Sequence, residues 1–264
     1  MAVTNQTKRK ISTRLIRKGA LIEETYSAFQ VWDLGKGFTD NLSILRESNI
    51  WGARNQSWLR EITSTLSTRF ADQQNLTPLI KLAKSGIDLE KWKPCLLWHL
   101  AAIDELYYRY ALDWLYPAFH DGTYLIRTDD VAPFVTELTS GQIASGGDLS
   151  EYGTVRAARD LLRMSSDFGL LEGSAARQFT HYHLQSESFL YILYALSDLG
   201  QNPQKIIDAP EWRIFLMSPG QVERELLELH QFQQLNFDIA GSLVNLNLPY
   251  KSLQEYVERL TNNE

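Results

Sequence analysis

The sequence predicts a mainly α-helical fold in which an N-terminal helical domain is followed by a winged-helix unit with small β-hairpins and a C-terminal helical extension. Apolar residues recur at helical spacing along most of the 264 residues. The stretch SEYGTVRAARDLLRMSSDFGLLEG, residues 150–173, passes from an amphipathic helix to an abrupt Phe-Gly-Leu-Leu stop. A helix of this kind precedes the wing of a winged helix-turn-helix and is the element that enters the major groove when such a module binds DNA.

The predicted N-terminal domain covers residues 1–127 and consists of successive amphipathic helices. Their expected bounds are 20–34, from Thr39 or Asp40 to residue 49, 54–71, 77–85 after the Thr77-Pro78 start, and 89–119 as one helix or two. In the 54–71 helix the apolar residues Leu59, Ile62, Leu66 and Phe70 form an inward stripe, and we expect Arg54, Arg60 and Arg69 to face solvent.

The predicted winged-helix unit covers residues 128–200, and the C-terminal extension covers residues 201–264. A short helix at 129–138 is followed by a Gly/Ser turn, and Ser150 caps the helix at 150–168. A small β-hairpin is expected within 169–184 and a further helix at 186–199. In the extension, two helices precede an alternating apolar and polar run around Ala240-Gly241, which predicts a second hairpin before a final helix at 251–260.

Composition excludes several classes of protein. Hydrophobic residues make up 44% of the chain and charged residues 22%, a balance typical of globular proteins. Cys95 is the only cysteine, so an intrachain disulfide is excluded and a reducing compartment fits best. The apolar runs are too short for a transmembrane helix, and the N-terminus lacks the apolar core of a signal peptide. We expect a cytoplasmic protein without a membrane partner.

Charge is distributed unevenly along the chain. Residues 1–127 hold 17 Lys and Arg against 13 Asp and Glu, a net charge of +4, whereas residues 128–184 carry −4 and residues 185–264 carry −6. Residues 1–22 contain no acid and carry +6. Such asymmetry favours a polyanionic partner at one end of the molecule, although a solvated basic tail is the alternative interpretation.

Two groups of basic residues are therefore candidate contacts to nucleic-acid phosphates. The first group lies in the N-terminal domain and contains Lys8, Arg9, Lys10, Arg14, Arg17, Lys18, Arg54, Arg60 and Arg69. The second is the stripe Arg156, Arg159 and Arg163, which falls within about 60° on the 150–168 helix. Asp160 and Asp167 flank this stripe, and arginine also pairs with aspartate on ordinary solvated helix faces, so both interpretations remain open.

Signatures of catalysis and of metal binding are missing from the sequence. It contains no Gly-x-x-x-x-Gly-Lys loop, no Gly-x-Ser-x-Gly elbow and no His-Glu-x-x-His motif. His181 and His183 would share one face of a strand, but two ligands do not make a zinc site. Asp104, Glu105 and Asp113 are interpreted as helix-face charges, and Cys95 as buried and inert. We expect no enzyme activity, no metal and no cofactor.

Five segments in this order resemble the BrxA family, the small NusB-like component of BREX phage-defence systems. They are GALIEETYSAFQVWDLG, NIWGARNQSWLREITSTLSTRF, the 150–173 stretch, EWRIFLMSPGQVERELLELHQF and LPYKSLQEYV. The resemblance runs from about Ile11 to Val257 and implies a largely helical fold, double-stranded DNA binding and a place among other BREX proteins. It provides no catalytic motif to transfer.

These observations lead to two functional hypotheses. The first is a weakly sequence-specific, double-stranded-DNA-binding accessory component of a BREX-type defence system, because phosphate contacts position a protein without reading bases. The second is a protein–protein adaptor that assembles other defence components through its winged helix and acidic tail. The NusB likeness leaves RNA open as a ligand in place of DNA.

Overall fold

The computed structural model describes residues 11–71, 75–143, 146–241 and 243–262. It confirms the predicted mainly helical fold with two small antiparallel hairpins. Among the described residues, no helix is both long enough and apolar enough to cross a bilayer.

The first helices lie close to their predicted positions. They are α1 (Ile22–Gln30), α2 (Phe38–Ser48), α3 (Gln56–Phe70) and α4 (Thr77–Lys84). Helix α2 begins one residue before Thr39, with Gly37 at the N-cap. The inward stripe of α3 is buried as expected, and the side chain of Asn55 caps this helix by accepting from the backbone N–H of Trp58.

The aromatic region after α4 is divided into several helical segments. They are α5 (Leu89–Ile103), α6 (Glu105–Tyr110), a single π-helical turn (Ala111–Leu115) and α7 (Tyr116–His120). Asp104 separates α5 from α6 and caps α6 by accepting a hydrogen bond from the backbone N–H of Tyr107. Helix α5 lies at the centre of the protein, where Trp92 is fully buried.

Two helices, a hairpin and a third helix follow. They are α8 (Thr128–Thr139), α9 (Glu151–Asp167), β1 (Leu171–Gly173), β2 (Arg177–Phe179) and α10 (Ser186–Ser197). Ser150 caps α9 as predicted, since its hydroxyl accepts from the N–H of Gly153. Ile126 and Arg177 exchange two backbone hydrogen bonds of 2.8 Å, so an extended residue before α8 pairs with β2. The hairpin is thereby connected to the residues just before α8.

The C-terminal elements pack back on the N-terminal helices. They are α11 (Pro203–Ile207), a 3₁₀ helix (Pro210–Phe215), α12 (Pro219–Gln231), β3 (Asn236–Ala240), β4 (Leu243–Asn247) and α13 (Leu253–Asn262). Helix α13 lies against α4 and α10, and Lys81 on α4 pairs with Glu258 on α13 at 2.8 Å. Buried residues from all parts of the chain form one hydrophobic core. The division into 1–127, 128–200 and 201–264 stays a prediction.

Candidate nucleic-acid interface

The basic N-terminal segment, defined here as residues 11–20, is packed against the body of the protein. The backbone N–H of Ile11 donates to the carbonyl oxygen of Gln142 at 3.0 Å, beyond α8. Ile11 and Ile16 are fully buried in the core, whereas Arg14 and Arg17 are exposed. The predicted contacts Lys8, Arg9 and Lys10 lie outside the described residues. Buried neighbours therefore fix the backbone that carries the remaining cations of this segment.

Arg69 on α3 is one of the residues that hold the segment. Its guanidinium donates hydrogen bonds to the carbonyl oxygens of Leu15 and Ala20, both at 2.7 Å, and to that of Gly19. Only 2% of Arg69 is exposed, and burial lowers its pKa to about 10. The expectation that Arg69 faces solvent as a phosphate contact is therefore wrong, because its donors already bind the backbone of the segment.

Asp167, at the end of α9, holds the same segment from the other side. Its Oδ2 accepts a hydrogen bond from the backbone N–H of Ala20 at 2.9 Å. Gly19 has a φ of +71°, and a Cβ at this position would lie 2.8 Å from Asp167 Oδ2 and 3.1 Å from Arg163 Nε. Glycine is required here both for the left-handed backbone and for this close approach. The segment is thus clamped between α3 and α9.

A groove of about 490 Å³ opens between the N-terminal segment and α3. Its lining residues are Arg14, Leu15, Arg17, Lys18, Ser57, Arg60, Glu61, Ser64, Thr65, Thr68 and Arg69. Arg60 is exposed, as expected, and Lys18 forms an ion pair with Glu61. The structure therefore brings Arg60 together with Arg14, Arg17 and Lys18, which are more than 40 residues away in the sequence.

The predicted arginine stripe on α9 lies on the surface of that helix. Arg156, Arg159 and Arg163 are all exposed, while the opposite face, including Ala158 and Leu162, is buried. Both acids that flank the stripe are engaged by other groups. Asp167 binds the N-terminal segment, and Asp160, whose side chain is only 14% exposed, forms an ion pair with Arg156 at 3.8 Å. One arginine of the stripe is therefore paired with an aspartate of the same helix, while all three remain exposed.

Arg17 connects the two groups of predicted contacts. Burial raises the pKa of the Asp160 carboxyl, and Arg156, Arg163, Arg17 and Arg159 are all close enough to oppose that increase. Arg17 therefore lies near the α9 stripe while it also lines the groove. We name the combined set the basic surface: Arg14, Arg17, Lys18, Arg60, Arg156, Arg159 and Arg163. Arg54, just before α3, is exposed but is not among the residues that line the groove.

The structure also gives the positions of the other residues considered as candidate sites. His181 and His183 are exposed and lie outside the strands, and the described residues contain no group of three or more ligands suited to a metal ion. Cys95 is buried, and burial raises the pKa of its thiol. Asp104 is buried rather than on a helix face, so that expectation is wrong for this carboxylate, whereas Asp113 is exposed and pairs with Arg109.

The inward position of Arg69 and the ion pair of Glu61 were missed by reasoning from sequence. A usable signal existed for Arg69, since it follows the buried Ile62 by seven residues and so falls within about 20° of the apolar stripe. Glu61 carries no such signal. Its partner, Lys18, comes from a segment without regular secondary structure, and only the fold brings the two together.

Comparison with known proteins identifies one family. The family model described as BrxA matches residues 9–194, which is most of the chain and includes the N-terminal segment, α3, α9 and the first hairpin. No curated protein and no solved structure matches the chain. Because the family model covers well over half of the sequence, this protein belongs to the BrxA family.

Proposed function

We propose that this protein binds double-stranded DNA through the basic surface, without catalysis and with weak sequence specificity. Membership in the BrxA family makes it a component of a BREX phage-defence system. Within that system, the proposal assigns it the role of a DNA-binding accessory protein. The observation that carries the proposal is the convergence of the N-terminal segment, α3 and α9, which brings seven exposed or half-exposed cations from three parts of the chain into two adjoining groups that share Arg17.

The topology around α9 supports this assignment. An extended residue, the helices α8 and α9, and the β1–β2 hairpin that pairs back to Ile126 follow one another as in a winged helix-turn-helix. In helix-turn-helix proteins the second helix enters the major groove with its N-terminal residues against the bases. In α9, Tyr152 stands near the N-terminus with its side chain exposed, and the arginine stripe begins one turn later.

The charges of the surface favour backbone contacts over reading of bases. Arginine and lysine that neutralise phosphates release condensed counterions, so affinity falls steeply as salt increases. If about five cations of the basic surface meet phosphates, the slope of log K against log salt is about −4.5. Contacts of this kind position a protein on a duplex without selecting its sequence.

The test is a titration of labelled duplex DNA with the intact protein at increasing salt. Changing Arg156, Arg159 and Arg163 together to Gln should reduce the salt slope by about 3, since each lost phosphate contact reduces it by about 1. Arg54→Gln, away from the groove, is the single-charge control. Absence of duplex binding at low salt would refute the proposal, and tighter binding of double-stranded RNA in a parallel titration would replace DNA with RNA as the ligand.

Point substitutions are preferable to removal of the N-terminal segment. Deleting residues 1–18 would take Ile11 and Ile16 out of the core and leave the donors of Arg69 without the carbonyl of Leu15. Loss of binding in such a truncation would report damage to the fold as well as loss of charge. Arg14→Gln and Arg17→Gln keep these buried contacts.

The adaptor function is a second candidate, favoured by the surface of the C-terminal region. Residues 195–264 follow the part of the chain that the family model matches, and they carry a net charge of −5. Phe232 and Leu243 are 68% and 74% exposed there, and neither is explained by DNA binding. If this region docks a basic BREX protein, Phe232→Ser with Leu243→Ser should abolish co-purification with that protein while leaving the salt slope for DNA unchanged.

A further inference from the structure

The groove between the N-terminal segment and α3 differs from the rest of the basic surface because it is concave and contains a carboxylate. Arg14, Arg17, Lys18 and Arg60 line it, and Glu61 is the one acid among its described lining residues. The volume of about 490 Å³ is within the range of sites that bind small molecules. These four cations, together with the buried Arg69, outnumber the one acid and favour an anionic ligand.

The neutral side chains of the groove add donors for such a ligand. The hydroxyls of Thr65 and Thr68 donate to helix carbonyls, at 2.8 Å and 2.9 Å, so their protons are engaged within α3. Ser57 and Ser64 line the same groove about two turns apart and are exposed. Their hydroxyls can donate to an oxygen ligand beside Arg60. Guanidinium and hydroxyl donors together suit the tetrahedral oxygens of a phosphate group.

Glu61 holds Lys18 in the ion pair, and its carboxylate occupies the position of an anion in the groove. Both side chains are partly solvated, with 41% of Lys18 and 33% of Glu61 exposed. Pairs of this kind contribute little stability, so their exchange for another partner costs little. A phosphate that enters the groove would replace Glu61 as the ion-pair partner of Lys18. The displaced carboxylate of Glu61 would repel that phosphate.

We propose that this groove is a phosphate-binding site for one stretch of the DNA backbone, in which Glu61 holds Lys18 until a phosphate group replaces it. The inference rests on the proposed DNA-binding function and adds to it a concave site, next to α9, for the backbone of the duplex. Glu61 weakens the contact, so a bound backbone can leave the groove readily. Its removal strengthens binding, which a purely structural ion pair would not predict.

The experiment measures binding of inorganic tripolyphosphate to the full chain by calorimetry, with duplex DNA as a competitor. Glu61→Gln should bind tripolyphosphate about fivefold more tightly than the wild type, because it removes one like charge at close range. Arg60→Gln should bind it about fivefold more weakly. Glu228→Gln, an exposed acid on α12, is the matched control and should leave the affinity unchanged.

The outcomes separate this inference from the proposed function. Failure of the wild type and of Glu61→Gln to bind tripolyphosphate, while duplex binding still depends on the α9 arginines, would overturn the groove site alone. Equal affinity of Glu61→Gln and Glu228→Gln would also overturn it. Tripolyphosphate binding that duplex DNA does not compete would overturn the assignment to the DNA backbone, and would leave a free phosphorylated compound as the ligand of the groove.

Discussion

Replacing Arg69 by Met should destabilise the protein strongly although both side chains are long and flexible. In the native structure, the buried guanidinium donates to three backbone carbonyls of the N-terminal segment, those of Leu15, Gly19 and Ala20. Methionine fills part of the space but leaves these oxygens without their donor. It also removes the buried cation whose charge opposes the desolvation of Asp104.

The magnitude follows from the cost of breaking a buried charged network. A hydrogen bond to a charged group contributes about 1.5–3 kcal/mol, and removing one partner of a buried ionic pair costs about 3–5 kcal/mol. The variant no longer buries a charged guanidinium, and this gain offsets part of the energy of the three lost hydrogen bonds. We expect the free energy of unfolding to fall by about 3–5 kcal/mol, which lowers Tm by roughly 6–20 °C for a chain of this size.

Urea unfolding of the intact chain, followed by far-ultraviolet circular dichroism, measures the loss, and amide hydrogen exchange shows where it occurs. The amides of residues 11–20 should exchange fastest relative to the wild type if the segment is released. Arg54→Met is the matched control, since Arg54 is exposed and its loss should change stability by no more than about 0.5 kcal/mol. An Arg69→Met protein as stable as this control would refute the assignment of Arg69 as a clamp.

Three further predictions test local features. Gly19→Ala should cost about 2 kcal/mol in urea unfolding, because a Cβ is strained at positive φ and meets Asp167, and a smaller loss than in Ser150→Ala would contradict this. Ser150→Ala should cost about 1 kcal/mol by removing the α9 cap, and an unchanged Tm would count against the cap. Burial raises the pKa of Asp104 to about 7, so the free energy of unfolding should fall as pH rises from 3.8 towards 7. Burial lowers the pKa of His99 to about 4, so this residue should make the free energy of unfolding rise between pH 4 and 6.5. In Asp104→Asn the free energy of unfolding should therefore rise with pH over this range, and in His99→Gln it should fall. If urea unfolding gives the two variants the same dependence on pH, both assignments are excluded.

Elements with a local cause could be predicted from the sequence. The stripe from Leu59 to Phe70 predicts α3, and the Ser150 hydroxyl predicts the start of α9, because both depend on residues within a few turns of each other. The Ala240-Gly241 turn predicts the second hairpin for the same reason, and the paired strands β3 and β4 confirm it. These patterns require no knowledge of distant partners.

Features that depend on tertiary contacts could not be predicted. The partners of Arg69 are carbonyl oxygens 49 to 54 residues earlier, and backbone groups carry no sequence signal. The proximity of Arg17 to the α9 stripe arises only when Asp167 binds Ala20 across 147 positions. The sequence therefore identified all seven cations of the basic surface but could not place them on one face.

The clamping of the N-terminal segment between Arg69 and Asp167 affects the thermodynamics of any ligand that this segment meets. Fixing a backbone residue costs about 1–2 kcal/mol of conformational entropy, and in residues 11–20 that cost belongs to folding and not to association. Binding should then show a small heat-capacity change, unlike the large negative value of an arm that orders on its target. It should also proceed in a single kinetic phase whose rate depends on ionic strength and only weakly on temperature.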